Sequence, residues 1–252
     1  MSLYEYRELI KNLVVSDLKV KYANSILGFA WSLLNPLLML IVLYFVFSNV
    51  FKSEDHFVVY ILIGLLAWRF FSIGTNSALN SIVGKPSLVT KIFIPRQILT
   101  LSSVLSGLIS STLEFIVLVP LLIIFGDGLK WTIVLFPVVQ LLFFLIIYGL
   151  SLMLASMYVY FRDLNQIWEV LLQLGMFLSP IVYPLSVIPE RYRPIYLLNP
   201  ITCVISMYRD IFLYGNIPQL SDLLIVVVSI AILLSAGTFT FNRLSRRFAE
   251  EV

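Results

Sequence analysis

The sequence predicts an all-α integral membrane protein with six transmembrane helices. Of its 252 residues, 60% are hydrophobic and 12% charged, against roughly 25% charged in soluble domains. The charges fall in clusters between long apolar runs, the pattern of a polytopic membrane chain. Those runs lie at about 30–50, 57–78, 97–125, 131–157, 168–184 and 220–241, most of them near the ~20 residues a helix needs to cross a bilayer.

Residues 1–22 precede the first run and read as an amphipathic helix. Leu3, Tyr6, Ile10, Leu13, Val14 and Leu18 recur at helical spacing, whereas Arg7, Glu8, Lys11 and Asp17 lie off that stripe. Such a helix lies on the membrane face, apolar side down. It serves as a plain anchor or as a platform for a soluble partner, and both readings stand open. Its mixed charges do not resemble the basic tip and short apolar core of a cleavable signal.

Orientation follows from the cationic residues. With the N-terminus inside, Arg7, Lys11, Lys19, Lys21, Lys85, Lys91, Arg96, Arg162, Arg243, Arg246 and Arg247 are cytoplasmic. Lys52, Lys130, Arg191, Arg193 and Arg209 are outside, and Arg69 falls within a span. Both termini are therefore expected in the cytoplasm.

Spans two and three are joined by NSIVGKPSLVTKIFIPRQ, in which Lys85, Lys91 and Arg96 alternate with apolar groups. Pro86 and Pro95 bracket room for a short helix. The loop either obeys the positive-inside bias alone or fits a cleft in a cytosolic subunit. Gly84-Lys85-Pro86-Ser87 is not a phosphate loop, because the glycine required five positions earlier is missing. Nucleotide binding by this chain is excluded on that ground.

Two ionisable residues sit within spans, where a charge costs roughly 2.5–3.5 kcal/mol on insertion scales. Counted from the outer ends, Arg69 of span two lies about 18 Å deep and Glu114 of span three about 17 Å deep. Matching depths on adjacent spans predict an intramembrane pair. Span three also carries Ser103, Gly107 and Ser111 four residues apart, a stripe that lets another helix approach closely. Phe29, Trp31 and Trp68 are candidate channel aromatics, with lipid-facing or interfacial belts as the default for such residues.

The fifth run is broken by Ser179-Pro180 and Tyr183-Pro184. The stretch beyond these breaks, through Pro189 to Asn199-Pro200, is too aromatic for an ordinary loop and too charged and proline-rich for a span. Proline removes a backbone donor and clashes with the preceding turn, and hydrocarbon offers no water to repair the loss. Broken backbone at membrane depth is tolerated where protein buries it or water reaches it, which points to a conduit or gate.

Other chemistries find little support. A net charge of +3 is too small to argue for nucleic acid. Cys203 and His56 are each the only residue of their type, so no internal disulfide and no metal cluster is expected. Arg162, Asp163 and Glu169 come nearest to a reactive cluster and are read as a solvated cytoplasmic loop.

DLKVKYANSILGFAWSLLNPLL (17–38), KIFIPRQILTLSSVLSGL (91–108) and FRD…LSPIVYPLSVIPERYR…LLNPIT (161–202) occur together in this order. The chain thereby resembles the permease subunits of ABC transporters that export O-antigen, teichoic acid and capsular polysaccharide. The resemblance implies an interface helix at 1–22 and a single transmembrane domain over 23–252. It implies a coupling helix in the 80–96 loop, with Lys85, Ser87, Lys91 and Arg96 contacting the ATPase. Over 186–215 it implies short re-entrant gate helices on the outer side, with Pro180, Tyr183, Pro184, Pro189, Asn199 and Pro200 as gate residues. Arg162 and Asp163 are implied at the cytoplasmic end of spans four and five.

The same resemblance implies a homodimer bound to two cytosolic ABC ATPase subunits in a bacterial cytoplasmic membrane, carrying a lipid-linked glycan. This chain is then not an enzyme and holds no cofactor; ATP and Mg belong to the partner. A permease for a drug or small lipid in the same superfamily is the alternative. A secondary transporter is a more distant one, with only Arg69 and Glu114 to supply coupling-ion chemistry.

Overall fold

The computed structural model describes residues 3–23, 25, 27–28, 30–47, 56–91, 94–116 and 118–248. Among these residues every regular element is helical. A 3-10 turn leads into α1 (Arg7–Tyr22), followed by α2 (Ala30–Phe47), α3 (Phe57–Leu79) and the short α4 (Pro86–Lys91). Then come α5 (Gln97–Ile116), α6 (Leu118–Phe125), α7 (Phe136–Tyr158) and α8 (Leu164–Leu178). Short α9 (Arg193–Leu197) and α10 (Pro200–Arg209) precede the last helix, α11 (Leu220–Leu244).

Five of these stretches are long and apolar enough to cross a membrane: α2, α3, Gln97–Phe125, Trp131–Tyr158 and α11. The expected fifth span at 168–184 is set differently. Helix α8 starts earlier, at Leu164, and stops at Leu178. Its 15 residues reach about 22 Å, short of the ~30 Å hydrocarbon core. The stop has a local cause: Ser179 precedes a proline, which disfavours the helical region, and it lies at φ −102°, ψ 141°. Glu169, expected in a solvated loop, is instead the sixth residue of α8.

Helix α3 forms the centre of the bundle. Val59, Ile61, Leu62, Ile63, Ala67, Ala78 and Leu79 are fully enclosed, as befits a helix that is apolar all round. It packs on α2, α5, α7, α8 and α10. Gly74 of α3 meets Gly107 of α5, where a Cβ on Gly107 would stand 3.5 Å from the Gly74 Cα. The small-residue stripe of span three thus serves packing within the chain. Helices α7 and α11 approach more closely still, since a Cβ on Gly149 would lie 2.8 Å from the Leu233 carbonyl carbon.

The two ends of the bundle differ. At one, Ile82, Val89, Leu99, Val159, Phe241 and Phe248 form a separate apolar cluster that gathers the α3–α5 connection, the α7–α8 loop and the end of α11. Tyr160 donates to the Leu244 carbonyl there at 2.8 Å. Helix α1 runs along α5, with Tyr22 2.8 Å from Ser32 of α2 and Lys21 3.4 Å from Ser110 of α5. At the other end, His56 lies 3.2 Å from Asp127, and Lys130 lies 3.7 Å from the same carboxylate.

Candidate transport path and coupling surface

The proline break after α8 is held by Arg209, at the C-terminus of α10. Pro180 and Ile181 present carbonyls with no helical partner, and the guanidinium donates to them at 2.8 and 3.0 Å. It also reaches the Tyr60 carbonyl at 3.4 Å and sits 3.4 Å from the centroid of the Tyr60 ring. A planar cation with five donors suits such a site, and a ring face adds cation–π attraction. Gly64 leaves the room, because a Cβ there would lie 3.1 Å from Arg209 Nη2 and from Ile181 Cγ2. Gly64 is seven residues into α3, so the anchor lies about 10 Å below the start of that helix.

The cation count by side places Arg209 among the outer residues; in the folded chain it is 3% exposed. The sequence carries the signal, since ITCVISMYRDIFLY sets adjacent Arg209 and Asp210 inside a mostly apolar stretch.

The remaining candidate gate residues lie along the segment that this anchor holds. Tyr183 donates to the Phe177 carbonyl at 2.7 Å, and Tyr60 donates to the Tyr183 carbonyl at 3.3 Å. Burial, and next the hydrogen bond with Tyr196, push the Tyr183 phenol above its ordinary range. Pro184 precedes a 3-10 turn. Asn199 caps α10 by accepting from the Ile201 amide at 3.0 Å, with Pro200 in the first turn, where no donor is lost. Pro189 and Tyr183 line an aromatic groove of about 560 Å³ with Phe47, Phe177, Tyr192 and Tyr196.

A second cavity, about 340 Å³, lies beside it and is lined by Tyr60, Pro184, Arg209, Asp210, Gln219 and Asp222 among others. Burial, and secondarily the charge of Asp222, raise the Asp210 carboxyl from 3.8 to about 6. Behind it, Tyr208 donates to Gln140 Oε1, and Gln140 donates to Ser111 at 3.2 Å. This buried polar chain ties α10 to α7 and α5.

Arg69 and Glu114 are brought together. Nε and Nη2 of Arg69 lie 3.3 and 3.4 Å from the two carboxylate oxygens, while Nη1 donates to Asn35 at 3.0 Å. Glu114 is 2% exposed, so this fork joins α2, α3 and α5 inside the bundle. Of the candidate channel aromatics, Trp31 is half-exposed at the start of α2. Trp68 is buried, 5.4 Å from the Phe71 ring and pressed against Gly175 of α8. Phe29 lies outside the described residues.

At the opposite end the candidate coupling residues split. Lys85 Nζ lies 2.6 Å from Asp17 of α1, and Ser103 donates to the other Asp17 oxygen at 3.4 Å. Arg96 donates to the Ser245 carbonyl and lies over the Phe248 ring at 5.8 Å. Both cations therefore brace the loop from within. Ser87 is exposed on α4. Lys91 ends that helix, and its side chain lies outside the described residues. Arg162 lies over the Tyr158 ring at 5.5 Å, and Asp163 stands at the N-cap of α8.

Comparison with known proteins agrees with this architecture. Residues 8–213 match the family described as ABC-2 type transporter. The O-antigen export system permease protein RfbA of Myxococcus xanthus is 34% identical, over 99% of this chain and 97% of that protein. A protein of the same name from Klebsiella pneumoniae is 29% identical over 96% and 94%. The polysialic acid transport protein KpsM of Escherichia coli is 23% identical over 83% of each. A match of this extent, on a bundle of helices able to span a bilayer, makes the chain a member of the ABC-2 type transporter membrane family.

Proposed function

We propose that two copies of this chain form a channel that exports a lipid-linked polysaccharide across the bacterial cytoplasmic membrane, driven by two cytosolic ABC ATPase subunits. The observation that carries this reading is the nearly full-length correspondence to a permease named for O-antigen export. The proline-cut segment around Arg209 supports it, because a long hydrophilic cargo needs a passage whose backbone polar groups are satisfied without lipid.

In this reading ATP and Mg bind only the partner subunits. Their closure pushes on the loop containing α4, where Ser87 is exposed to meet a partner. Lys85 passes the movement to α1 through Asp17, and Arg96 passes it to the end of α11. Both chain termini then lie in the cytoplasm. The segment 186–215 closes the outer mouth, its pieces too short to span.

Deleting the gene tests the proposal. The expected result is loss of surface polysaccharide with accumulation of lipid-linked polymer inside, reversed by the intact gene only when the ATPase partner is functional. Unchanged surface polysaccharide would overturn it, and loss of a drug or small-lipid efflux instead would assign the chain to the other cargo class.

A further inference from the structure

Helix α8 carries a polar line that an ordinary membrane helix does not have. Asn165, Glu169 and Gln173 repeat every four residues and therefore share one face. Val170, Leu174 and Phe177 cover another face. The rotation of α8 is fixed by Trp168, whose Nε1 donates to Thr75 of α3 at 3.0 Å, and by buried Leu172. Across from the polar line, Ser72 and Asn76 of α3 are also four apart. Glu169, Gln173, Ser72 and Asn76, with Trp68, Leu172 and Met176, line a groove of about 290 Å³, near the lower end of small-ligand pockets at ~300 Å³.

Three facts point the groove at a hydroxyl-rich ligand. Glu169 and Gln173 are exposed on a helix packed against α3 and α7, and in hydrocarbon a carboxylate is costly. Asn76 Oδ1 is buried with no hydrogen-bond partner among the described residues, so it is an acceptor waiting for a donor. The set also combines an acceptor (Glu169) with groups that both donate and accept (Asn76, Gln173, Ser72), matching hydroxyls that do the same. Asn165 already donates to Glu169 Oε1 at 3.2 Å, so an acyl chain would leave the other Glu169 oxygen and Asn76 Oδ1 unsatisfied, and a phosphate or uronate would meet the Glu169 charge.

We infer that the α3–α8 groove is a sugar-binding lane of the conduit, with Ser72, Asn76, Glu169 and Gln173 as hydrogen-bonding residues selective for uncharged, hydroxyl-rich glycan units. The inference rests on the export reading and adds to it the wall that touches cargo and the charge class of that cargo. Polymer advances along the ladder by exchanging hydrogen bonds between successive rungs, so no single site holds it tightly.

Cysteine accessibility in the full transporter separates the two claims. Cys203 is the chain's single cysteine, so Cys203→Ala provides a background for Gln173→Cys and, on the apolar face, Leu174→Cys. In cells blocked in polymer synthesis, a charged thiol reagent should label Gln173→Cys about tenfold faster than Leu174→Cys, because the reactive thiolate forms in water. In cells making polymer, labelling at Gln173→Cys should slow about fivefold, the effect of roughly one hydrogen-bonded occupant. Polymer export should fall about fivefold in Glu169→Leu and be retained in Glu169→Gln, which keeps an acceptor. Equal labelling at both positions would place the groove against lipid and overturn the lane. Fast labelling that polymer leaves unchanged would leave a wet wall without cargo and overturn it as well. Neither result touches the export reading, which fails only if deletion of the gene spares surface polysaccharide.

Discussion

Lys85 Nζ stands 2.6 Å from Asp17 Oδ1, so the connection between α3 and α5 is pinned to the N-terminal helix across 68 positions of sequence. Both side chains are less than a quarter exposed, which makes the pair stronger than a loose surface bridge. A partner pressing on α4 must move α1 with it.

Breaking this brace should uncouple the chain from the proposed ATPase subunit without unfolding it. Asp17→Asn or Lys85→Met should cost about 1 kcal/mol and lower cargo-stimulated ATP hydrolysis of the assembled complex about fivefold. The exchange Asp17→Lys with Lys85→Asp should recover most of the loss. Steady-state ATPase assays with and without cargo read both effects.

The Arg69–Glu114 fork should respond asymmetrically to single and paired changes. Arg69→Leu leaves the enclosed Glu114 carboxylate without its counter-ion, at a cost of about 3–5 kcal/mol. Arg69→Leu combined with Glu114→Leu removes both charges and should regain most of that stability. Thermal unfolding in nanodiscs, followed by tryptophan emission, provides the comparison.

Arg209 should resist conservative replacement. Lysine carries one compact charge and cannot serve the Pro180 and Ile181 carbonyls together with the Tyr60 ring. Arg209→Lys and Arg209→Met should both loosen the segment after α8, Met by about 2–3 kcal/mol from unsatisfied buried carbonyls. Hydrogen exchange over 179–188 should accelerate in both variants.

Gly149→Ala tests the α7–α11 crossing. The added methyl would stand 2.8 Å from backbone atoms of Leu233 and Leu234, which cannot rotate aside. Overpacking of this kind costs about 1–3 kcal/mol, measurable as a lower unfolding midpoint in detergent. Gly28→Ala, whose Cβ would meet nothing within 4 Å, reports instead the strain of a positive φ.

Asp210 gives the cavity beside Arg209 a pH dependence. Its carboxyl titrates near 6 when folded and near 3.8 otherwise, so between these values the folded state binds more protons than the unfolded one. Stability should therefore fall as pH rises from about 4 to 6 and level off above it. Asp210→Asn should flatten that slope. Denaturation midpoints across this range would show a rising or flat profile in the parent protein if the burial of Asp210 were misassigned.

Local and periodic features of the structure were legible in the sequence. The all-helical class follows from the apolar runs, and the break after α8 from Pro180 and the constraint it places on Ser179. The Arg69–Glu114 pairing could be read from depth alone, since two helices of known rise place equal counts at equal heights. Partners distant in sequence were not legible. Nothing near Arg209 announces the carbonyls of Pro180 and Ile181, and nothing near Lys85 announces Asp17. Periodicity alone sets the end of α8 too late, because Ile181 and Val182 continue the apolar run after its helical geometry has stopped.

The length of α8 bears on the lipid around it. A rod about 22 Å long cannot match the thickness of the acyl layer, so tails beside it must compress, tilt or give way to protein. Each ångström of mismatch costs a fraction of a kcal/mol, and the penalty is smallest in a thin bilayer. Reconstitution into short-chain phosphatidylcholine should therefore stabilise the protein relative to long-chain lipid, with the gain concentrated at this one helix.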